Sequence, residues 1–494
     1  MVGDLMAFVV LAVPLRDRVH WLRHFALLPL LVTGLQLLAE GPRWQMVPGY
    51  ALGGLFLPVW LLRKTERDGR PAGRRWVRRL AVGLGVLGLA LSATLPTIFP
   101  VFGFPRPHGP YQIGTVVYHW VDADRREIFS TDPAVRRELM AQVWYPVRGE
   151  SSSARAPYMQ DAGAFSAAAT AALSSAGGPH LPGFLFGHFT YVSTHAIPTA
   201  PMASDRPSYP VLIFLTGVDG FRQSNTFQVE ELVSHGYVVV GLDQPYAAVS
   251  VLFPDGHRIT GLTRDQMQPF INQSLSPAVP APMLNGIALV NGIMPYLAQD
   301  VSFALDQLTA IDRTDPERIL TGRLDLRRVG AFGVSLGAMV ASEVCHSEPR
   351  VRACLMMDAA MPADVVQTGL RQPSMWITRD AGTMRLERQR AGGWSEADIQ
   401  ETLASMRAVY VKSLPGKGYY LQVPGMFHVN FTDVPYWSPL ARQMGLAGPI
   451  DPQRGFDIVN AYALAFFDQQ LDGRPAALLG GPSKQYSEVL FETH

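Results

Sequence analysis

Gly333-Val334-Ser335-Leu336-Gly337 stands between a short apolar run, Arg328-Val329-Gly330-Ala331-Phe332, and the start of a helical pattern, Ala338-Met339-Val340-Ala341-Ser342-Glu343-Val344. Strand, G-x-S-x-G, helix is the order of a nucleophile elbow, in which a serine is lifted clear of a sheet edge on a strained turn. The glycines are needed because strand and helix approach closely there. The helix N-terminus offers backbone N–H groups and a favourable dipole to a developing oxyanion. Ser335 is therefore the candidate nucleophile for acyl transfer.

A serine nucleophile needs a base, and the base needs an acid to orient it. On a strand–elbow–helix scaffold these follow the serine in the order acid, then histidine. His428 fits the base. It lies in Gly425-Met426-Phe427-His428-Val429-Asn430-Phe431, after the strand-like Tyr419-Tyr420-Leu421-Gln422-Val423. Loops at the carboxyl ends of strands are where open α/β sheets bind ligands. His346 is too close to Ser335 along the same helix, and the terminal His494 is expected to be mobile. Two acids compete. Asp358 ends Val351-Arg352-Ala353-Cys354-Leu355-Met356-Met357, and Asp380 ends Ser374-Met375-Trp376-Ile377-Thr378-Arg379. A later strand would favour Asp380, although Asp380 followed by Ala381-Gly382 also reads as a turn residue. Asp358 interrupts an apolar run, and a buried carboxylate needs a partner.

Four segments resemble bacterial proteins similar to the plasma and isoform II platelet-activating-factor acetylhydrolases. They are Pro210-Val211-Leu212-Ile213-Phe214-Leu215-Thr216-Gly217-Val218-Asp219-Gly220-Phe221-Arg222, Val233-Ser234-His235-Gly236-Tyr237-Val238-Val239-Val240, the elbow with Leu355-Met356-Met357-Asp358-Ala359-Ala360-Met361, and the His428 segment. The resemblance runs from about residue 115 to the end. It implies an α/β-hydrolase fold, a mostly parallel sheet flanked by helices, and a serine hydrolase of carboxylic esters. Short or oxidised phospholipid acyl groups, or other small esters, are the implied substrates. It also implies Asp358 as the acid and the backbone N–H groups of Val218 and Leu336 as the oxyanion hole. The chain departs from the family at Leu215-Thr216-Gly217, where Ser-His-Gly is usual, and at Val334 and Gly337-Ala338 around the serine. Backbone donors survive such changes, so the departures bear on loop support and pocket shape. They also leave room for an alternative: a hydrolase-fold binding or sensory module without turnover.

Net charge is +1 and no basic stripe crosses the C-terminal part, which gives no support to nucleic-acid binding. Neither a phosphate-binding G-x-x-x-x-G-K nor a dinucleotide fingerprint occurs. Histidines and cysteines show no ligand spacing, so no metal or cofactor is expected. Cys345 and Cys354 read as buried and apolar, which favours two thiols over a disulfide.

The first hundred residues read as membrane. Residues 80–101 form a charge-free run long enough to span. Residues 45–62 and 25–39 are shorter candidates, and 5–15 is too short alone, giving three to four transmembrane helices over residues 1–103. Arg16, Arg18 and Arg23 lie between the first two runs. Arg63, Lys64, Arg67, Arg70, Arg74, Arg75, Arg78 and Arg79 separate the last two, while the middle loop has only Arg43. Positive-inside then puts both basic loops in the cytoplasm and the catalytic portion outside the cytoplasmic membrane. A transporter is disfavoured, because no central ionisable residue marks a pathway. A Pro-rich linker (104–114) leads into the catalytic portion (115–494). That portion opens on an antiparallel pair near 114–120 and 139–145. Insertions near 158–207 and 260–294 could roof the site, or their aromatic residues pack on the sheet.

Overall fold

The computed structural model describes residues 2–12, 24, 27–65, 75–149, 154–175 and 180–494. The chain forms two compact units: Met1–Phe102 with Trp437–Leu440, and Gly103–Tyr436 with Ala441–His494.

The first unit contains α1 (Val2–Ala12), α2 (Leu28–Glu40), α3 (Val47–Thr65) and α4 (Arg75–Ile98). Among the described residues, one helix segment is long and apolar enough to cross a membrane, Arg79–Ile98, with a mean hydropathy of 1.8. The expected three to four spans are thus not all present as full-length helices. The 13 residues of α2 reach about 20 Å, short of the ~30 Å hydrocarbon core. The 11 residues of α1 reach less. Pro58 lies inside α3, and side chains from residue 59 to its end lie outside the described residues. Six of the basic residues behind the expected orientation, Arg16, Arg18, Arg23, Arg67, Arg70 and Arg74, lie outside the described residues.

The second unit is built on a ten-stranded sheet. Its strands are β1 (Gln112–Arg126), β2 (Arg136–Val147), β3 (Ala196–Pro198), β4 (Tyr209–Leu215), β5 (Val238–Asp243), β10 (Leu324–Val334), β11 (Val351–Met357), β12 (Ser374–Thr378), β13 (Gly418–Gln422) and β14 (Leu490–Thr493). Two hairpins stand apart from it, β6 (Ser250–Leu252) with β7 (Arg258–Thr260) and β8 (Met283–Leu284) with β9 (Ile287–Ala288). The helices are α5 (Ala162–Ser175), α6 (Thr226–Ser234), α7 (Arg264–Leu275), α8 (Met294–Arg313), α9 (Leu336–Ser347), α10 (Ala363–Thr368), α11 (Ala381–Ala391), α12 (Glu396–Tyr410), the single turn α13 (Val434–Trp437) and α14 (Pro452–Leu471).

Strand order is β14-β13-β12-β11-β10-β4-β5-β2-β1-β3. The six central strands run parallel, and β2 and β14 pair antiparallel at either side of them. This is the arrangement of an α/β-hydrolase. The apolar strands explain it, because both faces are covered. Val211, Ile213 and Leu215 of β4 and Val329 and Ala331 of β10 join a core with Leu297, Val301 and Leu305 of α8 and Val340 and Val344 of α9. Their neighbours Leu212, Phe214, Phe332 and Val334 face Leu232 of α6 and Phe456, Phe466 and Phe467 of α14. The period of two along each strand sorts the residues between the layers.

The insertion near 158–207 carries α5 and a 3-10 turn at Gly187–Tyr191, and the one near 260–294 carries α7 and the β8–β9 hairpin. Two expectations fail. Cys345 and Cys354 form a disulfide that ties the end of α9 to β11; burial raises the chance that two nearby thiols meet as readily as it isolates them. The terminal His494 is held in place, its N–H donating to Gly418 O at 3.0 Å beside β14.

Candidate active site

The site forms where the chain reverses direction across the sheet. After β4 the chain adds β5 on one side, and β10 later returns to the other side of β4. A crevice opens at the carboxyl ends of strands at such a switch point. The loops after β4 and β10 meet there.

Ser335 sits between β10 and α9 with φ 58° and ψ −126°, a strained backbone of the kind a tight strand-to-helix turn imposes. Close approach explains the flanking glycines. A Cβ on Gly333 would stand 2.3 Å from Gly337 O, and one on Gly337 would stand 2.0 Å from Leu215 O. The Ser335 N–H donates to Met357 O at 3.0 Å, which fixes the turn to the end of β11.

The loop after β4 lies against the serine. A Cβ on Gly217 would stand 3.1 Å from Ser335 Cβ. Val218 follows, then Asp219 in the left-handed region at φ 59°. The Asp219 N–H donates to Ala247 O at 3.0 Å and the Gly220 N–H to Gly217 O at 3.0 Å. Among the described residues, no bonded acceptor occupies the N–H of Val218 or of Leu336. The departure at Leu215-Thr216-Gly217 has its own support, because Thr216 Oγ1 bonds Ser224 Oγ at 3.0 Å.

Asp358 directly follows β11, is fully buried, and has φ 52°. Its Oδ2 accepts from His428 Nδ1 at 2.6 Å, and its Oδ1 accepts from the Thr378 hydroxyl at 2.8 Å. Arg379 Nε lies 2.8 Å from the same Oδ2 as an ion pair. Burial pushes the Asp358 carboxyl up, but the Arg379 guanidinium and then His428 outweigh it, holding the group below the usual carboxylate range. It is ionised at neutral pH. His428 is partly exposed, with 22% of its side chain open to solvent. Its loop is pinned by Asn430, whose Oδ1 accepts from the N–H groups of Phe427 and Gly448, each at 2.8 Å.

Asp380 lies elsewhere. It is the N-cap of α11, and its carboxylate accepts from the Thr383 N–H at 3.0 Å and from the Thr383 hydroxyl. His346 points to Thr368 at the far end of α9.

Sequence reasoning did not find Arg379, Glu387, Trp394 or Asn430. Arg379 is 1% exposed at the end of an apolar strand, and a buried guanidinium demands a carboxylate. That signal stands in the sequence directly before Asp380, whose own neighbours Ala381-Gly382 read as a turn. Glu387 lies within a charge-rich surface helix, where nothing distinguishes it from its neighbours. No group of histidine, cysteine or acidic side chains with metal-binding geometry occurs among the described residues.

No family model matches the chain. A fungal protein of Arthroderma benhamiae described as a probable 1-alkyl-2-acetylglycerophosphocholine esterase is 26% identical over 83% of this chain and 99% of its own length. The platelet-activating factor acetylhydrolases of dog and guinea pig are 22% and 20% identical over 58% and 53% of the chain, and 62% and 58% of theirs. Among solved structures, a ferulic acid esterase from Streptomyces cinnamoneus superposes with a TM-score of 0.58. It is 28% identical and covers 79% of this chain and 99% of its own. All of them are named for ester hydrolysis. The likeness supports an esterase-type hydrolase, on a mostly parallel mixed sheet flanked by helices.

Proposed function

We propose that this protein is a serine ester hydrolase in which Ser335, His428 and Asp358 form the catalytic triad. The observation that carries this reading is the 2.6 Å bond from His428 Nδ1 to Asp358, beside the strained elbow of Ser335. That bond holds the imidazole in the tautomer whose Nε2 is free to accept a proton. Ser335 Oγ attacks the ester carbonyl carbon and loses its proton to His428 Nε2. The negative charge that forms on the carbonyl oxygen is met by the N–H groups of Val218 and Leu336. His428 then gives the proton to the leaving alkoxide as the C–O bond breaks, leaving an acyl-Ser335. Water, deprotonated by the same imidazole, releases the acid and restores the serine. Asp358 stabilises the imidazolium throughout and stays ionised.

Small carboxylic esters are the favoured substrates. The names of the relatives support an acetylated glycerophospholipid or a hydroxycinnamoyl ester, and both present a small carboxylic ester to the serine. A membrane anchor agrees with the first. Little of the apolar stretch of α4 is buried, and Leu84 and Leu87 are 59% and 55% exposed. An apolar helix exposed on most sides suits lipid better than water. The Cys345–Cys354 disulfide and the basic residues flanking the apolar runs support a catalytic portion on the extracytoplasmic face of the cytoplasmic membrane. A reporter enzyme fused after His494 tests the side: activity characteristic of the cytoplasm contradicts it.

The function is tested by turnover of p-nitrophenyl acetate and of a 2-acetyl glycerophospholipid. Hydrolysis of either that vanishes in Ser335→Ala is expected. Binding without turnover in the unchanged protein would instead support a hydrolase-fold sensory module.

A further inference from the structure

A buried cation beside a triad acid is a chemical problem. Asp358 is useful only while its negative charge stabilises the imidazolium of His428. Arg379 Nε lies 2.8 Å from the same Oδ2 that accepts the imidazole N–H. Unopposed, that guanidinium would cancel the charge the imidazole depends on and make His428 a weaker base. It is opposed. Arg379 Nη1 pairs with Glu387, whose other oxygen accepts from the His428 backbone N–H at 3.1 Å. Asp358, Arg379, Glu387 and His428 therefore close a ring with one net negative charge facing the imidazole.

Trp394 covers this ring. The Arg379 guanidinium stands 4.6 Å from its ring centre, and its ring lies 5.3 Å from that of His428. Gly392 and Gly393, with φ 76° and 119°, turn the chain at the end of α11 just before it. Such values are open to glycine and costly for other residues. The guanidinium is thus fixed on one side by an indole face and on the other by two carboxylates.

We propose that Arg379 and Glu387 are positioning residues, a compensated charge pair that orients the Asp358–His428 couple and sets the proton affinity of its imidazole. The proposal rests on His428 acting as the base of the hydrolase. The other charged groups near this part of the sheet are engaged elsewhere. Asp380 caps α11, Asp433 accepts from the Thr226 and Phe227 N–H groups at the start of α6, and Arg385 and Arg388 pair with Glu396. Tyr420, on β13, is pushed up to about 12, by burial first, and stays neutral through the working range.

The sign is opposite for the two partners. Removing the cation strengthens the field of Asp358, so the imidazolium persists to higher pH. Removing Glu387 leaves Arg379 unopposed, so the imidazole frees its proton at lower pH. The test is the acidic limb of kcat/KM against pH for the full chain on a soluble ester. It is paired with a histidine-labelled NMR titration of His428 in the Ser335→Ala protein, assigned with His428→Gln. Arg379→Met should move the limb up by about one pH unit, and Glu387→Gln should move it down by a similar amount. Arg379→Lys, which keeps the charge, and the double variant Arg379→Met/Glu387→Gln, which removes both charges, should stay within ~0.3 unit of the unchanged protein. Should Arg379→Met fail to fold, Glu387→Gln and Arg379→Lys still decide. Shifts in the same direction, or none in either Arg379→Met or Glu387→Gln, would overturn the proposal. A chain that hydrolyses no ester contradicts the function, and the NMR titration still decides the charge pair.

Discussion

β11 and β12 lie side by side and parallel, with Met357 opposite Ile377, yet the residues that follow them carry opposite charges. Directly after β11 stands Asp358, and directly after β12 stands Arg379. The two meet as a buried ion pair, and the second aspartate, one residue further on, turns away to cap α11. A shift of one position at a strand end separates a carboxylate that meets an imidazole from one that begins a helix. Residue type did not distinguish them. The backbone did, with φ 52° at Asp358 and extended φ −79°, ψ 159° at Asp380.

The largest expected effect breaks the pair of strand ends apart. Asp358→Asn should lower kcat by about 10³–10⁴-fold, because the amide cannot hold the imidazole in the working tautomer. Asp380→Asn should leave kcat within about threefold, since asparagine also caps helices. Steady-state kinetics of the two variants decide, and the reverse ranking would move the acid to Asp380.

Loop support comes next. Asn430→Ala strips an acceptor from two N–H groups and should cost about 2 kcal/mol or more in denaturant titration. It should also lower kcat by roughly tenfold as His428 loses its fixed setting. Wild-type values for both would show that the loop is held by other contacts. Thr378→Val removes the hydroxyl that donates to Asp358 Oδ1 and should lower kcat only a few-fold, because two other partners remain on the carboxylate. A loss as large as that of Asp358→Asn would mean that the hydroxyl, not Arg379, secures the acid.

The smallest effect concerns a buried carboxyl outside the site, Glu343. Burial first, and Asp364 beside it second, push Glu343 of α9 up to about 8. Its folded-state value lies above the usual 4.5, so folding favours the protonated form. Its contribution is intact below pH 4.5 and is lost as the pH rises through about 8. Glu343→Gln should therefore flatten the fall of Tm between pH 5 and 8. An unchanged slope in differential scanning calorimetry would show that the carboxyl is solvated.

The strand-to-helix turn at Ser335 and the loop of His428 were legible because their signals are local. A strand, two glycines forced by backbone approach and a helix start all lie within a few residues of Ser335, and His428 follows its own strand. The choice between Asp358 and Asp380 was not local. It depends on which strand end faces His428 in the assembled sheet, and the resemblance was what decided for Asp358. Arg379 was hidden for the same reason, since its partner lies 21 positions earlier in the chain. The disulfide was misjudged because burial alone does not say whether two thiols face each other. Apolar runs in the first hundred residues gave the helices but not their lengths. Composition marks where a helix is apolar, whereas Pro29 at the start of α2 and Gly41 at its end set where it begins and stops.

The reactivity of Ser335 tests the triad most directly. A fluorophosphonate should label the full chain stoichiometrically, and peptide mass spectrometry should map the adduct to Ser335. Labelling should be abolished in Ser335→Ala and slowed at least a hundredfold in His428→Ala. An unlabelled chain, or an adduct on another serine, would contradict the assignment of a serine hydrolase at this elbow.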